Sequence, residues 1–144
     1  MTRGEKAKAL FEEGYNCSQS VFLAFEDVIG LDRSTAVRIS AGFGGGFARM
    51  REICGAVSGM TAVISYVNAC EDPNNHEKKK ELYALIQKAI GEFKNINGHY
   101  ICRELLGLNA DSSPVPTKRS ESFYHKRPCG ELCKIAADIA EKYI

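Results

Sequence analysis

Cysteine is the residue type in this sequence most capable of chemistry. The chain of 144 residues holds six, namely Cys17, Cys54, Cys70, Cys102, Cys129 and Cys133. Thiolates form disulfides, bind soft metals or act as nucleophiles, and a helix N-terminus lowers the pKa of a thiol. The sequence places Cys17, Cys54 and Cys129 near the starts of predicted helices, and Cys102 on a short predicted helix. Because sites in helical bundles form from inward side chains on facing helices, four helices could each deliver one sulfur to one point.

The spacing of the cysteines excludes several common sites. There is no Cys-x2-Cys pair, so the sequence does not resemble a zinc finger or zinc ribbon. The tight cysteine runs of common ferredoxins and the haem motif Cys-x-x-Cys-His are also absent. We expect Cys70, at the end of an apolar helix, and Cys133, on the apolar face of the last helix, to be buried core thiols. Cys133 could instead serve as a second thiol one helical turn from Cys129.

Hydrophobic periodicity predicts helices almost throughout the chain, so we expect an all-α fold. Asn16 and Gln19 form a predicted capping box that makes Cys17 the first residue of its helix. The bundle should contain about six to seven helices around a central apolar one at about 50–69. The region 108–127 is predicted to be a surface loop. The remaining predicted helices cover 4–13, 17 to near 30, a short stretch through 36–39, 76–95, a short stretch through 100–106, and 128–143.

Glycines surround the predicted cysteine site. Four of the five residues 42–46 are glycine, which predicts a loop with positive φ angles or a close backbone approach. Its amide groups, including those of Gly44, Gly45 and Gly46, could face a cluster sulfide or an anion, although a tight packed connection between helices is equally consistent with the pattern. Gly55 and Gly59 lie on one face of the central helix and could admit a cofactor, but simple helix packing is the expected role.

Two arginines and a histidine near these motifs could take part in the cysteine site, although the pattern favours solvent exposure for each. Arg49 and Arg51 flank the glycine loop and could offset the charge of a thiolate site, but we expect them to be solvated. His125 lies four residues before Cys129 and could complete a site, although a lone loop histidine is usually solvated. No Ser/His/Asp set and no carboxylate pair is recognisable, so the sequence leaves open whether the protein is an enzyme.

The composition is that of an ordinary globular domain and does not favour a nucleic-acid-binding or membrane protein. A hydrophobic content of 44% and a charged content of 26% are ordinary for a globular domain, and we expect a single domain over 1–144. A net charge of +1 does not favour a nucleic acid or a membrane surface as partner. There is no apolar run near the roughly 18–20 residues of a membrane span and no signal-peptide core. We therefore expect a cytoplasmic protein, where structural disulfides are rare and metal or redox chemistry is favoured.

Five blocks of the sequence together resemble a known family. They are Gly14–Val21, Ala41–Gly46, Cys54–Gly59, Cys102–Gly107, and Cys129 before the final helix. This pattern resembles the redox-active proteins named for the motif C…GCAxxG…C…C, a domain also found in split-Soret cytochromes c. The family motif places Gly before Cys, whereas this chain has Cys54 before Gly55. The resemblance implies a helical domain that binds a metal or iron–sulfur cluster or performs thiol redox chemistry.

Three functions follow from the residues and the resemblance. In the first, Cys17, Cys54, Cys102 and Cys129 bind a [2Fe–2S] or [4Fe–4S] cluster, or zinc, for electron transfer or redox sensing. In the second, a low-pKa Cys17 or Cys129 reacts with a disulfide or peroxide and another cysteine resolves the product. In the third, the cysteines are core residues of a helical interaction module. A redox partner protein is expected for the first function, and the apolar central helix leaves room for a homodimer.

Overall fold

The computed structural model describes residues 1–107, 111–120, 123 and 127–144. Within them the chain forms eight α-helices and no strand, which confirms the all-α prediction. The helices are α1 Arg3–Glu13, α2 Cys17–Leu23, α3 Glu26–Ile29, α4 Arg33–Ser40, α5 Gly55–Asn68, α6 His76–Asn97, α7 Cys102–Leu106 and α8 Cys129–Glu141, with a 3₁₀ turn at Ala41–Phe43. No helix in these ranges is both long and apolar enough to cross a membrane.

The start of α2 is the one that the sequence predicts. The Asn16 side chain accepts from the Gln19 amide at 3.0 Å, and the Gln19 side chain accepts from the Asn16 amide at 3.0 Å. This capping box satisfies two of the donors that every helix N-terminus leaves unpaired. It also makes Cys17 the first residue of the helix, as predicted.

The predicted single helix from 17 to near 30 is instead broken into α2 and α3, so the expected count of helices is too low. Phe25 leaves helical geometry, with φ −115° and ψ 27°. The Arg3 guanidinium donates to the Ala24 carbonyl at 2.8 Å and lies over the fully buried Phe25 ring at 4.7 Å. A tertiary contact from α1 thus satisfies a carbonyl at the break.

Helix α5 packs against α2, α6 and α8, while α1 lies along α8. The buried face of α5 includes Val57, Met60, Val63 and Ile64, each 0% exposed. The helix is not enclosed all round, since Tyr66 is 58% exposed. It also begins at Gly55 rather than at about 50.

The residues before α5 form a left-handed turn in place of the predicted helix start. Positive φ angles occur at Gly45, Gly46, Phe47, Ala48, Arg49 and Arg51. The positive φ predicted for the glycine loop is therefore confirmed, and it extends to four residues with side chains, each costing about 1–2 kcal/mol. Backbone bonds close the turn, from the Arg51 amide to the Gly45 carbonyl at 3.2 Å and from Glu52 to Gly46 at 3.0 Å.

A single antiparallel bridge between Ile53 and Ile101 joins this turn to the segment before α7. The Cys54 amide donates to Tyr100 at 2.9 Å, and the Cys102 amide donates to Glu52 at 2.6 Å. Each bridged isoleucine directly precedes a cysteine, so the bridge places Cys54 and Cys102 next to each other.

A buried cysteine site

Four cysteines each stand at the start of a different helix. Cys17, Cys102 and Cys129 are the first residues of α2, α7 and α8, and Cys54 is the N-cap residue of α5. The placement of Cys102 is more specific than the sequence predicts, because α7 begins at this residue. The backbone amides at a helix start point outward without a partner in the helix, which gives each thiol a polar neighbourhood.

These four helix starts converge on one small cavity of about 30 Å³. The residues that line it are Cys17, Gly45, Gly46, Arg51, Cys54, Gly55, Cys102, Leu105, Leu106, Cys129 and Leu132. All four cysteines that the sequence analysis grouped are therefore brought together. Cys54 and Cys102 are buried, at 4% and 7% exposed, while Cys17 and Cys129 are half-buried.

The two remaining cysteines lie apart from the cavity lining. Cys133 is 0% exposed, and its thiol donates toward the Cys17 carbonyl at 3.7 Å. It is thus a buried thiol, as predicted, but one in contact with a residue of the site. Cys70 is exposed, so its predicted burial is wrong. The reason is that α5 ends at Asn68, which leaves Cys70 in the turn that follows.

Burial and the crowding of the thiols raise the pKa of every cysteine in the site. Burial is the main cause for Cys54, whose pKa is raised to about 12, and also raises the pKa of Cys102. The hydrogen bond with Cys17 raises the pKa of Cys129 further than burial does. The bond with Cys129 lowers the pKa of Cys17, but the bond with Cys133 and burial outweigh it and the net shift is upward. The low pKa predicted for Cys17 or Cys129 is therefore wrong in this arrangement.

Arg51 is the cation of the site. It is 3% exposed, and its Nη1 donates toward the Cys102 sulfur at 3.7 Å. Its Nε donates to the Asp111 carbonyl at 2.8 Å. Its Nη2 is buried and has no hydrogen-bond partner among the described residues. The prediction that Arg51 is solvated is wrong, since its side chain forms part of the wall beside the thiols.

The predicted cofactor-binding glycines divide into two groups. Gly45, Gly46 and Gly55 line the cavity. A Cβ on Gly46 would lie 2.7 Å from the Cys102 Cβ, so a side chain here would push into the site. Gly44 and Gly59 lie outside the lining, where they pack against Asn16 and against the backbone of α2. Among the described residues, the amides of Gly45 and Gly46 donate no hydrogen bond, which leaves them available to a bound group.

The structure also shows how the site accommodates Cys54 before Gly55. Position 54 is the N-cap, and its side chain lines the cavity. A Cβ on Gly55 would lie 3.2 Å from the Cys17 Cβ and 3.0 Å from the Phe43 carbonyl. With this backbone, therefore, the site takes the thiol from position 54 and a glycine at 55.

The donor set of four thiols fits a thiophilic metal by its chemistry. Sulfur ligands favour soft ions such as zinc, Cu(I) and iron–sulfur clusters. In this geometry, no group of three or more histidine, cysteine, aspartate or glutamate side chains in the described ranges is placed to hold a metal ion. His125, which could add a donor, lies outside the described residues.

An all-α fold with a buried site of four thiols defines a class of small helical cysteine proteins. Residues 15–143 match the family described as "Putative redox-active protein (C_GCAxxG_C_C)". The chain belongs to this family, as the sequence analysis predicted, and the family description indicates redox activity. No curated protein and no solved structure matched the chain.

Sequence reasoning missed two parts of the site. The bridge between Ile53 and Ile101 involves one residue pair, which is too short for a period-two pattern to reveal. The burial of Arg51 depends on Asp111, sixty positions away along the chain. The signal for Arg51 in the sequence is its position beside the glycine loop, from which a role in offsetting thiolate charge is one of two interpretations.

Proposed function

We propose that Cys17, Cys54, Cys102 and Cys129 hold an iron–sulfur cluster or another thiophilic metal for electron transfer or redox sensing. The observation that carries the proposal is that these four thiols, from four different helix starts, line one buried cavity with a buried arginine. Four cysteine ligands are the usual set for [2Fe–2S], [4Fe–4S] and structural zinc sites.

A bound metal would offset the raised pKa values of the thiols. Thiolates that share one cavity repel each other, and burial penalises each charge. A bound cation removes that penalty, because thiol ligands deprotonate on coordination. The positive charge of Arg51, which contacts Cys102, would offset part of the negative charge of the bound thiolates. Gly45 and Gly46 line the same cavity, and their amides donate no hydrogen bond among the described residues.

Hydrophobic side chains would cover part of the bound group. Leu105 and Leu106 from α7 and Leu132 from α8 complete the cavity wall. An apolar shell and hydrogen bonds to sulfur are the features by which a protein sets a reduction potential. When bound, an iron–sulfur cluster supplies one-electron oxidation and reduction. The volume of about 30 Å³ is close to that of one or two water sites, so a single zinc ion requires less rearrangement than a cluster does.

The test is to purify the protein anaerobically and to measure iron, acid-labile sulfide and zinc per chain together with the visible spectrum. We expect stoichiometric metal that is lost when any of the four cysteines is changed to serine. Cys70→Ser is the matched control, since this exposed thiol lies outside the site. Cys133→Ala should retain the metal and lose about 1–2 kcal/mol of stability. A colourless, metal-free protein that resists reconstitution would contradict the proposal.

A second candidate function is a dithiol–disulfide couple formed by Cys17 and Cys129. Cys17 and Cys129 each shift the pKa of the other. Cys17 also interacts with Cys133. Cys133 is 0% exposed, whereas Cys17 and Cys129 are both half-buried, so an oxidant reaches the Cys17–Cys129 pair more readily. With hydrogen peroxide, the two thiols would lose two protons and two electrons, form one disulfide and yield two waters. Because the pKa of both thiols is raised, the reaction should be slow at neutral pH.

This candidate is tested by treating the reduced, chelator-washed protein with hydrogen peroxide and mapping its disulfides by mass spectrometry. We expect a Cys17–Cys129 link if the couple operates. Oxidation confined to Cys70, or to sulfinic and sulfonic forms, would exclude it.

A further inference from the structure

A wide cleft of about 690 Å³ opens onto the cysteine site. The cleft and the small cavity share four lining residues, namely Cys17, Gly45, Arg51 and Cys129. The two half-buried thiols therefore lie at the inner end of the cleft. Its volume falls in the range of sites for small molecules.

The segment 111–120 forms one wall of this cleft. Arg49 donates to the Ser113 carbonyl at 2.7 Å and to the Thr117 hydroxyl at 2.7 Å. At the far end of the segment, Arg119 donates to the carbonyls of Phe11 and Tyr15. These bonds tie one end of the segment to the glycine loop and the other end to the end of α1. The segment therefore lies across the cleft and forms one of its walls.

The lining of the cleft is rich in cations. It contains Arg49, Arg51, Arg119 and Arg127, against the two acids Glu12 and Glu13 of α1. The whole chain has a net charge of only +1, so this concentration is local. A concave surface with an excess of one charge attracts ligands of the opposite sign.

Two of these arginines have donors to spare. Arg51 Nη2 is buried without a partner among the described residues. The Arg127 guanidinium lies 5.7 Å from the Phe123 ring centre and donates no hydrogen bond to a described residue. In contrast, Arg49 donates to Ser113 of the segment 111–120, and Arg119 donates to Phe11 of α1. Arg51 contacts the Cys102 sulfur at 3.7 Å, and Arg127 lines the cleft together with Cys17 and Cys129.

We propose that the cleft binds a small molecule bearing a carboxylate or phosphate group, with that group held by Arg51 and Arg127 at the entrance to the cysteine site. An orphaned buried guanidinium donor costs free energy unless an acceptor pairs with it, and oxyanions are the acceptors that arginine pairs with best. The inference deepens the proposed function, on which it rests for the role of the thiols, because it names the class of compound that reaches them. Anion binding itself requires no metal.

The experiment titrates the reduced protein with inorganic phosphate and, separately, with malonate at constant ionic strength in chloride, and follows binding by calorimetry. We expect saturable binding of one anion per chain. Arg51→Met and Arg127→Gln should each weaken it by at least about tenfold, the loss expected for a hydrogen bond to a charged group. Arg38→Gln is the matched control, because this exposed arginine of α4 lies outside the cleft.

The Arg127→Gln variant keeps the test decisive if Arg51→Met fails to fold. Unchanged binding in Arg127→Gln, equal effects in Arg38→Gln, or no saturation by either anion would overturn the proposal. Competition by an acidic peptide such as hexaglutamate at far lower concentration than either small anion would also overturn it and assign the cleft to a protein partner. Metal content is measured on the same samples before and after reconstitution, so anion binding by a protein that resists reconstitution would contradict the proposed function alone.

Discussion

Burial governs the chemistry of the cysteines at the scale of single residues. A thiolate is the reactive form, so a raised pKa and a buried sulfur both slow alkylation. We therefore expect iodoacetamide at pH 7.5 to label exposed Cys70 first in the reduced, chelator-washed protein. Cys54, with a pKa raised to about 12, should stay unlabelled even at pH 9. Peptide mapping by mass spectrometry measures the order of labelling.

The Cys70→Ser variant provides the control for that experiment, since it should take up almost no label over the same period. Labelling of Cys17 or Cys129 as fast as Cys70 would show that one of them has the low pKa that the helix start alone would suggest. Rapid labelling of all six in urea would verify that folding causes the protection.

At the scale of elements, glycine sets how closely α2 and α5 approach. A Cβ on Gly59 would lie 2.8 Å from the Ser18 carbonyl and 3.0 Å from the Val21 Cβ, and backbone cannot move away cheaply. We expect Gly59→Ala to lower the free energy of unfolding by about 1–3 kcal/mol. Because α2 and α5 carry Cys17 and Cys54, the same change should weaken metal binding. Urea unfolding and metal content measure the two effects.

Gly91 of α6 gives the matched control for this prediction. A Cβ there would meet nothing within 4 Å, so Gly91→Ala should raise stability by about 0.5–1 kcal/mol through helix propensity. If both substitutions stabilised the protein, the close approach of α2 and α5 would be disproved.

At the scale of the whole molecule, Arg3 joins three helices. Its guanidinium donates to Asp27 of α3 at 2.9 Å and to Glu141 of α8 at 3.0 Å. The bond with Arg3 lowers the pKa of Asp27 to about 2, below its ordinary value of 3.8. A lowered pKa contributes stability above the unfolded value that is lost as pH falls from about 4 toward 2. Asp27 is 63% exposed, so solvent screening limits the contribution to about 1 kcal/mol or less.

We therefore expect Asp27→Asn to be less stable than the wild type at pH 6 and to approach it as the pH falls to 2, by denaturant unfolding. Glu71→Gln, in the turn after α5, has no ion pair among the described residues and should show no such convergence. A stability gap that stays constant with pH would exclude the Arg3–Asp27 contribution.

Local signals in the sequence predict several features correctly. The Asn16–Gln19 capping box fixes Cys17 as the first residue of α2, because both of its hydrogen bonds lie within four residues. The clustered glycines predict positive φ, since no other residue adopts it without cost. Local patterns failed where α3 separates from α2, because the break depends on Arg3 from another helix. They also failed at Cys70, although the end of α5 is predicted to within one residue, because the exposure of a thiol just past a helix end depends on which other elements cover it.

By itself, the sequence determined the all-α class and the family, and it predicted a grouping of four cysteines. These depend on periodicity, helix caps and motif order, which are local properties of the chain. Only the tertiary structure decided that the four thiols share one cavity, that burial raises their pKa values, and that Arg51 lies beside them with an unpaired donor. Those properties arise from desolvation and from contacts between residues far apart in the chain, such as Arg51 with Cys102 and Asp111, and no local pattern encodes them.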